Sequence, residues 1–497
     1  MSGADGEDQR PGPRRWPFPQ RWPGAWRWPS AWRTGRAGRV SQRTRRPQPL
    51  LKQRLPSGRG AMEQPNITSY GAGVLTPRFW VAVAAVGVAA GLLGALMMLI
   101  LFNVQYAAFG YHYGSLEHGV EHASAARRVG SLLVAGAFGG TAWFLLRRYT
   151  KGEPSELDET LWNGDGRLSF RRCLGTSVIS EVVIGMGASI GREAAPKLLG
   201  GASGSVLADW AGLSPQQRRL LVACGGGAGL AAVYNVPLAG ALFTAEILLG
   251  GLSLPVMLPA IVCSWIATAT AWVYLPNRAT YVGVPDYRFT GSLMVWALLA
   301  GPVIGLLSAG YIRLIGWVSY HRARGTRALF APVIAFGILG VIGIWYPQLF
   351  GNGLDIAHDA FLGVGGLGLL LTLFALKPLV TAMCLSSGAS GGLFTPTLST
   401  GAALGGALGI AWNLAWPGSP SGAFAMIGAA AMIGAAMQAP LSGLALVLEL
   451  THSGFGLLIP MMAATAIATV VAFYVDGYSI YSARLPAYAA DSTAVSP

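Results

Sequence analysis

Two short stretches of this chain carry residue types suited to holding and releasing an anion. In Gly-Arg-Glu-Ala-Ala-Pro (191–196), Glu193 stands beside a glycine-flanked turn, and the segment after it stays apolar or small to about Leu207. That pattern predicts a helix starting at Glu193 within a membrane, where an ionisable side chain is costly and marks function. The first N–H groups of such a helix lack an intrahelical partner and carry partial positive charge, so they attract an anion without a full cation. An ion held only by such groups is held weakly enough to leave. Gly-Gly-Leu-Phe-Thr-Pro (391–396) offers the same device later in the chain, its glycines allowing close backbone approach. Two opposed helix ends then share one site. The plainer alternative pairs Glu193 with Arg192 or Lys197 as a structural ion pair.

Other polar groups in apolar surroundings are weaker candidates. Glu181 and Lys377 fall inside apolar runs and are secondary suspects for the pathway. Glu246 and Glu449 end two similar segments, where capping or anchoring a helix explains them better than transport. Tyr481, close to Tyr474 and Tyr478, reads on its own as a membrane-interface residue. Cys173, Cys224, Cys263 and Cys384 lie far apart with no CxxC pair, which argues against both a zinc site and a disulfide framework. His112, His118 and His122 cluster between apolar runs, where a loop or interface role needs no special geometry, so neither metal nor cofactor is expected. Gly-Ala-Ser-Gly (388–391), followed by His452, spells a rival chemistry, an intramembrane serine protease. That rival leaves the 191–196 stretch unexplained.

The elements that must position these residues are membrane helices. Only 11% of the 497 residues are charged, where soluble proteins carry roughly 25%. Phe79 to Phe102 is an uncharged run of 24 residues, longer than the roughly 20 that cross a hydrocarbon core. Further apolar runs continue to about residue 475, several of them short or broken by the 69 Gly and 30 Pro. Helices that stop inside a membrane are tolerated only where freed backbone groups face protein or a watery cavity, which implies an ion pathway.

The net charge of +14 invites a nucleic-acid reading, but residues 1–62 hold fourteen Lys and Arg against three acids. No nucleic-acid partner is therefore expected. This Arg, Pro and Trp-rich tail reads as an extended cytoplasmic segment able to lie on anionic lipid, or as sequence ahead of a start at Met62. No secretory signal is recognisable in the first 60 residues.

The chain also repeats itself. Pro-Leu-Ala-Gly-Ala-Leu-Phe-Thr-Ala-Glu (237–246) recurs as Pro-Leu-Ser-Gly-Leu-Ala-Leu-Val-Leu-Glu (440–449), and 187–198 recurs loosely as 388–398. Paired, Gly/Pro-interrupted segments in two halves point to a transporter's central site, built from half-helices meeting near the midplane. The expected organisation is a tail (1–62), a first membrane repeat (63–285), a second (286–485) and a short C-terminal tail (486–497).

These motifs, in order and spacing, resemble the CLC family of chloride channels and chloride/proton antiporters over roughly Phe79 to Leu485. GREAAP resembles its G-[KR]-E-G-P motif and GGLFTP its GxFxP motif. YNVPLAGALFTAE and the run from Met437 to Pro460 look like conserved family helices, and Ile-Tyr-Ser-Ala (480–483) like the segment with its central tyrosine. The resemblance implies an all-α membrane fold of tilted helices in two inverted repeats, and a homodimer with one anion path per subunit. It implies an inner-membrane, multi-pass location with both termini cytoplasmic, and transport rather than enzyme chemistry. It makes Glu193 the gating carboxylate, occupying an anion site until protonated, so that its charge responds to pH and to anion occupancy. The amides of Gly191, Arg192, Ala194, Ala195, Leu393 and Phe394, with the Tyr481 hydroxyl, would coordinate the ion.

Two departures bear on mode. The family's GSGIP serine has no clear copy; its position falls at Gly152, with Lys151 beside it, so a hydroxyl ligand is in doubt there and an ammonium stands near. Where many antiporters of the family carry an internal proton glutamate, this chain has Ile247, which fits channel members; protons would then need water or another acid such as Glu181. Chloride is the expected ion, with fluoride or nitrate the alternatives.

Overall fold

A computed structural model describes residues 70–111 and 114–485; both tails and His112 lie outside the described residues. Among the described residues the chain is helical, with one isolated antiparallel bridge, between Gly191 and Gly392. Six helices are long and apolar enough to cross a membrane: Pro77–Phe109, Ala125–Tyr149, Leu254–Ala271, Gly291–Tyr320, Leu367–Ser386 and Phe455–Val475. The protein is a multi-pass membrane protein. Helices suit that solvent because each satisfies its own backbone groups where no water can.

The repeat seen in the sequence organises the whole fold. Pro77–Phe109 is matched by Gly291–Tyr320, Ala125–Tyr149 by Arg327–Ile342, and Phe170–Gly185 by Leu367–Ser386. Ala194–Trp210 is matched by Phe394–Trp412, Pro215–Tyr234 by Ser421–Met437, and Pro237–Phe243 by Pro440–Thr451. The long apolar runs at 219–249 and 422–450 each break at the same relative place. Asn235 (φ 57°) and Gln438 (φ 55°) take the left-handed conformation that ends a helix, and Pro237 and Pro440 each begin the next one.

Glu246 and Glu449 tie the halves together reciprocally. Glu246 accepts the N–H groups of Leu441 (3.2 Å) and Ser442 (2.6 Å) at the start of Pro440–Thr451. Glu449 accepts those of Leu238 (3.1 Å) and Ala239 (2.7 Å) at the start of Pro237–Phe243. Each carboxylate therefore neutralises the positive end of the other half's helix. The exchange requires the two helices to run antiparallel, as a two-fold relation between halves demands.

Glycine allows the central helices to cross closely. A Cβ on Gly200 would strike the carbonyl of Gly225, and one on Gly405 would strike that of Phe424, at equivalent crossings in the two halves. In lipid, where apolar burial gives little drive between helices, such close packing supplies the attraction instead.

Candidate functional site

The site lies where the two halves present helix starts to each other. Glu193 is the residue just before Ala194–Trp210, and Leu393 the one just before Phe394–Trp412. The loops leading in are locked by the Gly191–Gly392 bridge, with N–H to carbonyl distances of 2.8 and 2.7 Å. Helix Phe170–Gly185 clamps both: the Ser177 hydroxyl donates to Ala195 O (3.3 Å) and the Ser180 hydroxyl to Ser390 O (2.6 Å).

Glu193 is 3% exposed, yet its carboxylate pairs with neither Arg192 nor Lys197. Oε1 accepts the backbone N–H of Phe394 at 2.7 Å, the distance of a charge-assisted bond. Oε2 lies 3.2 Å from the Thr395 hydroxyl and 3.3 Å from that of Tyr234, and the two hydroxyls are 2.7 Å apart; with one proton each, they fill two of these three bonds at a time. The Tyr234 hydroxyl also receives an N–H of Asn352 at 3.4 Å. The carboxylate thus sits on the start of the second half's helix as a bound anion would. Gly191 and Gly392 make room for it, since a Cβ at either would collide with Oε1.

Beside the carboxylate is a small cavity of about 30 Å³, whose walls include Glu193, Ala194, Lys197, Phe394, Tyr481 and Arg484. Tyr481 is buried, its ring edge-on to Phe243 at 6.1 Å, with the Lys197 ammonium 4.6 Å from its centroid. Lys197 also lies 3.4 Å from Asp158. This cavity adjoins a larger one of about 710 Å³, and Ala194, Lys197, Gly391 and Arg484 line both.

Several expected ligands are placed otherwise. The Gly191 N–H is spent on Gly392 O, so it has nothing left for an ion. Arg192, expected to offer its amide, packs its guanidinium 5.1 Å from the Tyr234 ring and 5.9 Å from that of Phe102. Gly152 is an exposed turn residue (φ 81°) on the wall of neither cavity. Lys151 lines the larger cavity only. Glu181 is fully buried with neither oxygen hydrogen-bonded, and lines neither cavity. Ile247 is buried in a π-helical turn, Thr244–Leu248. Lys377 is buried away from the carboxylate, donating to Ser189 (2.8 Å) and Gly351 O (2.8 Å). Ser390 lines the larger cavity, while His452 is an exposed helix-end residue in the left-handed conformation and lines neither cavity.

The sequence reading missed Tyr234, Thr395 and Arg484, and it treated Lys197 only as an ion-pair partner. Thr395 follows Phe394 directly, and Lys197 is one helical turn past Glu193 on the same face. Those two were signalled by position; Tyr234 and Arg484 were not.

A family model described as "Voltage gated chloride channel" matches residues 135–473. A "Putative chloride channel protein ClcB-like" of Ralstonia nicotianae is 33% identical over 342 residues, 66% of this chain and 78% of that protein. An "H(+)/Cl(-) exchange transporter ClcA" of Yersinia pestis is 31% identical over 312 residues, 61% of this chain and 65% of that protein, just under two thirds of its length. Among solved structures, a slow cyanobacterial Cl-/H+ antiporter matches with a TM-score of 0.73 at 22% identity, covering 84% of this chain and 99% of that one. A CLC-type fluoride/proton antiporter matches with a TM-score of 0.67 at 19% identity, covering 82% and 97%. The match over residues 135–473, joined to a helix order shared along nearly the whole of those structures, makes this chain a member of the voltage-gated chloride channel, or CLC, family.

Proposed function

We propose that this protein moves chloride across a membrane along a path gated by Glu193. The observation that carries the reading is the 2.7 Å bond from the Phe394 N–H to the Glu193 carboxylate, beside a cavity walled by Tyr481. A helix start that accepts a carboxylate accepts a chloride by the same partial charges. While charged, Glu193 competes with the ion for that position. Protonated, it loses the charge-assisted bond and gives the position up, so gating follows both pH and chloride. Ala194, Ala195 and Leu393 shape the helix starts, and the Tyr481 hydroxyl holds the inner end of the path. The working unit is a homodimer in the inner membrane with each subunit conducting alone and both termini cytoplasmic, and no cofactor takes part.

Proton-coupled exchange is the second reading, favoured by the exchange activity named for the Yersinia relative. With Ile247 apolar, Glu181 is the buried carboxylate positioned nearest in sequence to serve protons. Chloride efflux from liposomes, with voltage clamped near zero by a potassium ionophore, tests the gate. Glu193→Gln is expected to conduct chloride without the pH dependence of the parent. A variant whose flux still follows pH as the parent does removes Glu193 from the gate. Uphill proton movement in the parent assigns the exchange mode, and its absence the channel mode.

A further inference from the structure

The cavity of about 710 Å³ has a wall chemistry that a chloride entrance does not require. Its lining holds eight Lys or Arg residues, six of them Arg, against two acids, Glu156 and Asp158. Four of the eight, Arg148, Lys151, Arg324 and Arg484, make no side-chain hydrogen bond or ion pair among the described residues, so their donors are unspent. An excess of like charge around one cavity repels itself, and multivalent anions relieve it more effectively than monovalent ones. The volume falls in the range of roughly 300–1,000 Å³ typical of small-molecule sites, far larger than a single halide. Planar guanidinium forks match the paired oxygens of a phosphate, which a spherical halide does not exploit.

The inner end fixes what such a ligand does. The cavity shares Ala194, Lys197, Gly391 and Arg484 with the 30 Å³ chamber beside Glu193, whose volume is too small to take a phosphate with its oxygens. Of the two cations that line both, Lys197 is already balanced by Asp158 at 3.4 Å, whereas Arg484 makes no side-chain hydrogen bond or ion pair among the described residues.

We propose that this vestibule binds a soluble multivalent phosphate anion, of the pyrophosphate class, which seats on the unspent arginines and plugs the anion path from that side. The binding stands on the cavity alone; the plugging rests on the chloride-path reading above.

The test uses the full chain with pyrophosphate as the probe. Calorimetry in zwitterionic detergent measures binding, and chloride efflux from zwitterionic vesicles measures block, both against sodium sulfate at matched ionic strength. Saturable binding of one pyrophosphate per chain is expected, weakened about tenfold or more in Arg148→Glu/Arg324→Glu, two exposed positions, and unchanged in Arg278→Glu, which lies outside the cavity. Pyrophosphate acting no more strongly than sulfate, or equal losses in the double variant and the control, overturns the site. Block that tracks anionic phospholipid added to the vesicles and not soluble pyrophosphate overturns the soluble ligand in favour of a lipid headgroup. Binding without chloride flux in any condition refutes the chloride reading and leaves the site standing, while flux without binding does the reverse.

Discussion

Replacing Tyr234 by Phe removes one hydroxyl from Glu193 Oε2 and leaves the Phe394 amide on Oε1, so it tests the gate without destroying it. A hydrogen bond to a charged group contributes about 1.5–3 kcal/mol at good geometry. The Tyr234 contact, at 3.3 Å, exceeds the roughly 2.5–2.7 Å usual for a hydroxyl donating to a carboxylate, so about 0.5–1.5 kcal/mol is the reasonable share. With about 1.4 kcal/mol per tenfold, the carboxylate then competes with chloride roughly 2- to 12-fold less well. The half-saturating chloride concentration for efflux should fall by that factor at a pH where Glu193 is charged. Thr395→Val should act in the same direction, through its 3.2 Å contact. The double variant should fall short of additivity, because the two hydroxyls also bond each other at 2.7 Å. In a Glu193→Gln background, Tyr234→Phe should change little. An equal shift in that background means that Tyr234 acts on the anion or the fold directly, and the competition argument fails.

Glu246→Ala should destabilise the protein by about 2 kcal/mol, since it strips a charged cap from two amides and the Ser442 hydroxyl. Glu449→Ala should cost a comparable amount; thermal unfolding in detergent measures both, and a change below about 0.5 kcal/mol in each rejects the capping role. Burial, with Asp359 and Asp355 nearby, pushes the Glu117 carboxyl up to about 8 from its ordinary 4.5. Between those values the folded protein keeps a proton that the unfolded chain releases, so stability falls as pH rises from about 4.5 to 8. Glu117→Gln should flatten that part of the unfolding midpoint against pH, and an unchanged slope would assign it elsewhere.

The helix start at Glu193 was legible because its signals are local. A carboxylate, flanking glycines and a following apolar run specify a helix start whatever the rest of the chain does, and the repeat at an offset of about 200 located the partner start. Glu246 and Glu449 were legible as caps for the same reason. The neighbours of the carboxylate were not, because they arrive from far away: Tyr234 is 41 residues from Glu193 and Thr395 is 202. The ligand role of Gly191 failed on a long-range fact, since its N–H is taken by Gly392 across the bridge. Gly152 was not legible, because a position transferred by distance along the chain says nothing of where an exposed turn points.

The two halves share a frame but not a chemistry. Shifted by 200 residues, Pro196 falls on Pro396 and Leu198 on Leu398, so the two helix starts are built alike. At the position of Glu193, however, the second half has Leu393, and where the first half has Ala194 and Ala195 it has Phe394 and Thr395. The first half therefore supplies the charge and the second half its receptor, an amide and a hydroxyl. A carboxylate on both starts would place two like charges at one site, which would repel each other and disfavour simultaneous ionisation. A carboxylate on neither would leave the helix ends with no internal competitor for the ion. In the proposed gate, one acid facing two positive helix ends would let a single proton decide whether the position belongs to the protein or to the anion.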